Sequence, residues 1–215
     1  MILKLFKMVL KFPPSIAKRI DLQDYLHKRS LVNIVFSWII NWETRKSVNL
    51  RSYIREQLQN PVLDQIIVEH LLDTDDLTNK QKVRKVLKLV RNNIIYRTDN
   101  LMWDVDEYWQ TPSETWISGR GDCEDGAILI YCLLHKIGVP DRLIRIACGD
   151  VIGGGHCYVV FRSDEDALEY PVDWCYWYND SYLMRSPYVK RKQYNYSLTE
   201  WFSFNKENVY KAITY

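Results

Sequence analysis

One stretch constrains this chain more than any other: Ser118 to Ile130 (SGRGDCEDGAILI), a glycine-rich turn that delivers a cysteine to the start of an apolar helix. Gly119 and Gly121 permit positive φ and close backbone approach. Beyond them Ala127, Ile130, Tyr131, Leu134 and Ile137 recur at helical spacing, and Gly138-Val139-Pro140 ends the run. Cys123 therefore falls in a first helical turn, among unsatisfied N–H groups at the positive end of the helix dipole, where a thiol pKa drops and thiolate is favoured. That placement reads as a nucleophile. Most free cysteines are small buried packing residues, however, so the reading needs partners.

A chain of 215 residues suffices for one domain with an extension. With 47% apolar residues and 13% aromatics, disorder and low complexity are excluded. Lys4, Lys7, Lys11, Lys18 and Arg19 crowd the first 20 residues without an acid, a pattern read as a solvated amphipathic start rather than a site for an anionic surface. Those lysines also interrupt any signal-like apolar core, so no signal peptide is expected. Leu31 to Trp42 is strongly apolar but shorter than the roughly 20 residues a membrane span needs. Asn33, Ser37 and Asn41 leave it one narrow polar stripe, as in a buried core helix. Five cysteines without a signal argue for free thiols in a reducing setting, the cytoplasm or a macromolecular assembly.

Residues 1–75 read as a helical extension, with helices over Ser15–Arg29, Leu31–Trp42, Asn49–Asn60 and Val62–Leu72. A core over 76–180 begins with a helix capped at Thr74. Its apolar stripe is Val83, Val86, Leu87, Val90 and Ile94, and its six basic residues, without aromatic interleaving or a DNA-binding motif, favour a solvated face over nucleic acid. The loop Met102–Trp109 offers Trp103 and Trp109 as candidate walls of a substrate groove. Thr111-Pro112-Ser113-Glu114 is a capping box that opens a short helix. Strands are expected over Arg142–Cys148, His156–Phe161 and Leu168–Trp174, with Gly149-Asp150 as a turn. A Tyr-rich segment, 181–215, ends in a short helix opened by a second capping box, Ser197 to Glu200.

The hairpin supplies the partners. With its loop centred between Asp164 and Glu165, His156 faces Asp173, and directly opposed residues have Cβ atoms about 5 Å apart. The carboxylate then holds one ring nitrogen of the imidazole while the other takes the proton of Cys123, the logic of a nucleophile, base and orienter. Gln110 is a candidate second donor to an oxyanion, beside the backbone N–H of Cys123. Cys148, Cys157 and Cys175 lie near His156 in the sequence, but no paired C-x-x-C spacing supports zinc, and no metal is assigned.

Tyr108–Trp116, Gly121–Ala127, Leu133–Pro140, Gly155-His156 and Pro171-Val172-Asp173 resemble the transglutaminase-like superfamily, in particular its bacterial transglutaminase-like cysteine proteinases. The resemblance covers roughly residues 80 to 178. It implies an α+β fold with a papain-like core, a nucleophile helix packed on an antiparallel sheet, and the set Cys123, His156 and Asp173. Cys157-Tyr158 follow the histidine where the family usually has a small residue and Trp. The resemblance also implies thioester chemistry on an amide, hence a cysteine peptidase acting on a protein or peptide; transamidation, or a structural component of a larger assembly, are the alternatives. Some members bind calcium near the cysteine turn, which brings Asp122, Glu124 and Asp125 into consideration, although acids at a helix N-terminus are also explained by the dipole.

Overall fold

The structure, a computed structural model, describes residues 49–104, 107–151, 154–175 and 199–211, which all lie in one compact unit, Asn49–Tyr215. The expected helices before residue 49, the basic N-terminus and the tyrosines of 176–198 lie outside the described residues.

Asn49 caps α1 (Leu50–Gln57), its Oδ1 accepting from the N–H groups of Arg51 and Ser52, and α2 (Val62–His70) follows Pro61. These two helices, expected in an extension, bury Ile54, Leu63 and Ile66 in the core. The next helix, α3 (Asn79–Asn93), starts later than expected. Thr74 ends a 3-10 turn and donates its hydroxyl to Leu71 O at 2.8 Å, whereas Thr78 and Gln81 exchange a reciprocal capping box. Two donors satisfied at once fix the start there. Val83, Val86, Leu87 and Val90 are its buried stripe; from the basic face Lys82 reaches the Ile137 carbonyl at 2.9 Å and covers the end of the central helix.

A two-residue parallel pair, β1 (Ile95–Tyr96) and β2 (Arg120–Gly121), brackets α4 (Asp99–Trp103) and α5 (Pro112–Ser118). The Thr111–Glu114 box opens α5 as the sequence predicts, with Thr111 N donating to Glu114 Oε2 at 2.8 Å and Glu114 N to Thr111 Oγ1 at 3.3 Å. Then comes α6 (Cys123–Lys136), whose residues Glu124 to Leu134 are buried on every face. α1, α2, α3 and α5 pack against it, as do β3 (Ile144–Val151) and β4 (Gly154–Arg162) of a five-stranded antiparallel sheet, order β5-β4-β3-β6-β7. This is the expected α+β core. Among the described residues no helix is long and apolar enough to cross a membrane.

The sheet departs from expectation in four places. Gly149 and Asp150 do not turn the chain; they continue β3, paired with His156 and Gly155. The hairpin register also differs. Arg162 opposes Glu169 and Ala167 adopts φ 57° in the connection, so Val159 faces Val172 and β5 (Glu169–Val172) is displaced by two residues from the predicted pairing. An even displacement keeps every side chain on its face. Thr199 to Phe204, read as a helix, forms β6, because β3 offers a pairing edge and the Thr-Glu-Trp-Phe-Ser-Phe run suits a strand better than a helix. With β7 (Val209–Lys211) it joins the core sheet rather than a separate tail. Finally, Cys148 and Cys157, expected as free thiols, form a disulfide: antiparallel pairing puts them directly opposite, Cα atoms 4.3 Å apart. Cys123, Cys132 and Cys175 are free.

Phe204 is fully buried and stacks on Trp109 with ring centroids 6.1 Å apart. Phe204→Ala should therefore cost about 3–5 kcal/mol in denaturant unfolding. A loss below about 0.5 kcal/mol, the surface range, would contradict the place of β6 in the core.

Candidate active site

Cys123 reaches its position through the pairing of β2 with β1. Ile95 N–H donates to Gly119 O at 2.9 Å and Arg97 N–H to Gly121 O at 2.8 Å, so the turn is held from outside the helix. Gly119 adopts φ 62°, while Gly121 is required by closeness: a Cβ there would stand 2.8 Å from that of Asp125. Asp125 is the internal anchor. Its Oδ2 accepts from Asp122 N–H at 3.1 Å, and its Oδ1 accepts from Gln110 N–H at 2.7 Å. The Gln110 side-chain amide also donates to Asp125 Oδ2. The structure thus gives this amide, expected to face an oxyanion, a place inside the turn, and Gln110 is fully buried.

On the sheet side His156 Nε2 and Asp173 Oδ2 are 2.6 Å apart and both residues are buried. Asp173 lies just beyond β5, and it reaches back to His156 across the diagonal that the shifted register leaves open, a distance side chains of this length can span. Tyr158 stacks beside the imidazole at 5.8 Å. The link to Cys123 is Trp174. Its indole Nε1–H donates to Cys123 O at 3.3 Å, and the ring occupies the space over Gly126, where a Cβ would fall 2.1 Å from Nε1. The residue after the aspartate thereby ties the His156–Asp173 pair to the first turn of α6. Sequence reasoning missed Trp174; a glycine three residues into an otherwise bulky buried helix was the available signal.

Residues 63–208 match the family described as bacterial transglutaminase-like cysteine proteinase, BTLCP. The chain belongs to this family. In three dimensions the proteinase is similar to LapG of Legionella pneumophila: the calcium-bound structure has a TM-score of 0.55 at 24% identity over 75% of this chain and 87% of that one. The EGTA-treated LapG gives the same TM-score over 75% and 85%. No curated protein matches the chain in sequence.

Electrostatics at the first turn of the proteinase's α6 oppose the dipole argument. Burial pushes the Cys123 thiol well up, and the carboxylates of Glu124 and Asp122 push it further. Its Sγ–H donates to Glu124 Oε2 at 3.1 Å, so the thiol is held protonated. The expectation of a low thiol pKa counted backbone dipoles and left out burial, the larger effect, and the adjacent carboxylates that add to it. Glu124 and Asp125 are themselves raised, by burial and then by Asp122. Asp99, from the start of α4, joins Asp122 and Asp125 in one cluster and Glu107 and Glu124 in another, ligand oxygens within 4.8 Å in each. Asp99 and Glu107 were not legible, because the connection that folds them onto the turn has no sequence signature.

Of the expected groove residues, Trp109 packs edge-on against Tyr53 at 5.7 Å and donates Nε1–H to Glu107 Oε1 at 2.7 Å. Trp103 lies against Tyr108, ring centroids 5.3 Å apart.

Two outcomes are expected. Gly→Ala inside a helix ordinarily stabilises by about 1 kcal/mol, but Gly126→Ala must expel the Trp174 indole, so both melting temperature and thiol reactivity should fall; a rise in melting temperature would refute the contact. Second, burial holds the Asp122 carboxyl at about 6 against an ordinary 3.8. With the folded value above the unfolded one, its stabilising contribution is complete below about 4 and is lost as pH rises through about 6. In chelator, melting temperature should decline across that window, and Asp122→Asn should flatten the decline.

Proposed function

We propose that this proteinase hydrolyses peptide bonds through a thioester on Cys123, with His156 carrying the proton and Asp173 orienting the imidazole. The observation that carries the reading is the buried His156–Asp173 pair at 2.6 Å, tied by the Trp174 indole to the residue that bears the thiol. Because Asp173 holds Nε2, the proton of Cys123 passes to Nδ1. The sulfur then attacks the substrate carbonyl, and the oxyanion forms at the start of α6, where the Cys123 N–H and the helix dipole stabilise it. His156 returns the proton to the leaving amine, then deprotonates a water that opens the thioester.

The Cys123 thiol is raised beside an acidic cluster, and that cluster is where a cation fits. Asp122 Oδ1 and Glu124 Oε1 are buried without a hydrogen-bond partner among the described residues, and apart from the Cys123 sulfur the ligand atoms grouped with them are carboxylate oxygens, the kind a hard divalent ion prefers. Calcium, bound in one of the LapG structures, would be held by Asp99, Asp122, Glu124 and Asp125 with Glu107 at the rim. When bound there it would supply positive charge beside the carboxylates of Asp122 and Glu124. Glu124 and Asp122, engaged as its ligands, would hold the proton on the Cys123 sulfur less firmly.

A thiol-directed electrophile should label Cys123 in the wild type and not in Cys123→Ala. His156→Ala should slow labelling and peptide cleavage on the order of 10²–10⁴-fold, the usual range for a lost acid–base group. Chelation should slow labelling and added calcium restore it; equal rates with and without calcium would remove the cation from the reading. Incubating a protein substrate with a tagged amine separates the two acyl acceptors. New peptide termini support hydrolysis, whereas amine adducts at glutamine without new termini would replace it by transamidation.

A further inference from the structure

Cys175 has no part in that chemistry, yet it stands at the His156–Asp173 pair. Its backbone N–H donates to Asp173 Oδ1 at 3.1 Å, and its Sγ lies 3.7 Å from the same oxygen, while Asp173 Oδ2 holds His156 Nε2 at 2.6 Å. One imidazole nitrogen, one carboxylate oxygen and one thiol sulfur thus lie within 4.8 Å of one another. His156 and Asp173 are buried; Cys175 is half-buried and carries no disulfide. Spacing along the sequence gave no reason to expect this, and the two cysteines closest to His156 in number, Cys148 and Cys157, are consumed by their disulfide.

We infer that His156, Asp173 and Cys175 form a site for a thiophilic divalent cation, Zn(II), whose binding silences the proteinase. Zinc takes nitrogen at about 2.0–2.1 Å and sulfur at about 2.3 Å in a tetrahedron, which sets ligand atoms roughly 3.4–3.8 Å apart. The present spacings bracket that range, so small side-chain movements complete the set, with water in the fourth position. The donor chemistry separates this site from the acidic cluster. The acidic cluster has no imidazole and is dominated by carboxylate oxygens, which suit calcium, whereas a set with both sulfur and imidazole selects zinc. On binding, the Cys175 S–H bond breaks, its proton goes to solvent, and a Zn–S bond forms; the imidazole coordinates as the neutral base. Zinc then occupies the nitrogen and the carboxylate whose hydrogen bond aims the ring, and His156 no longer takes the thiol proton. This last consequence rests on the proposed catalytic role of His156. Metal binding itself does not.

The test uses the full calcium-loaded chain with Co(II) as a spectroscopic probe and Zn(II) as its competitor. Wild type should bind one equivalent of Co(II) with a thiolate-to-cobalt charge-transfer band that Zn(II) abolishes. The band should persist in Cys123→Ala and vanish in Cys175→Ser and in Cys175→Ala, whose folding is checked by circular dichroism. Zinc should inhibit electrophile labelling of Cys123 in wild type, and at least about tenfold more zinc should be needed in Cys175→Ser. That variant should keep its zinc-free labelling rate, since serine still donates to Asp173. A band or zinc sensitivity that survives loss of Cys175 overturns the site. Loss of the band in Cys123→Ala does too, because the metal then sits on Asp122, Cys123 and Glu124. Failure of wild type to bind either metal also overturns it. If His156→Ala labels as fast as wild type, the catalytic reading fails, and the cobalt spectrum still decides the metal site.

Discussion

A tryptophan lying on a glycine holds this protein's chemistry together. Gly126 leaves a gap in a helix that is otherwise buried under side chains on all faces, and the Trp174 indole fills it while donating to the Cys123 carbonyl. Without that contact, α6 and the end of the β4–β5 hairpin are two surfaces that merely abut. With it, the residue that follows Asp173 is hydrogen-bonded to Cys123 on the helix. In the proposed reaction the buried His156–Asp173 pair depends on the same contact, since an imidazole oriented by a carboxylate acts only on a group whose proton it can take.

The first turn of α6 sets two electrostatic effects against each other. Backbone N–H groups favour negative charge there, and the chain answers with Asp122, Glu124 and Asp125 as well as the thiol. Any one of these groups would be stabilised by the dipole. Burial raises the proton affinity of all four groups, and neighbouring carboxylates add to it at Glu124, Asp125 and Cys123. Dipole energies of about a kilocalorie cannot offset several unscreened charges in one buried pocket. The acids of the cluster therefore hold their protons more firmly than ordinary carboxylic acids do.

Local signals in the sequence located most of the elements that matter. The capping box at Thr111, the apolar period from Ala127 to Ile137 and the strand-like run after His156 each act over a few residues, and each forms as read. Errors arose where a nonlocal partner decides. Ser197 to Glu200 has the composition of a helix start, yet β3 recruits Thr199–Phe204 as a strand. The hairpin register turned on Ala167, which adopts a positive φ that its residue type does not announce. His156 and Asp173 survived that error because the displacement was even. Asp99 and Trp174 were missed, and Cys175 was set aside on its spacing, for a common reason: each matters through what tertiary folding places beside it.

The order of strands in the sheet has a bearing on how the protein is made. β3 lies at its centre, flanked by β4, its immediate successor in the chain, and by β6, which arrives only after the whole of 173–198. During synthesis the helices, Cys123, the His156 hairpin and Asp173 all emerge while one side of β3 still lacks its partner. Long-range pairing of this kind is slow and leaves an open edge in the meantime. The scaffold beneath Cys123, His156 and Asp173 is thus closed by a later segment, and a growing chain carries all three before it has the complete sheet that positions them.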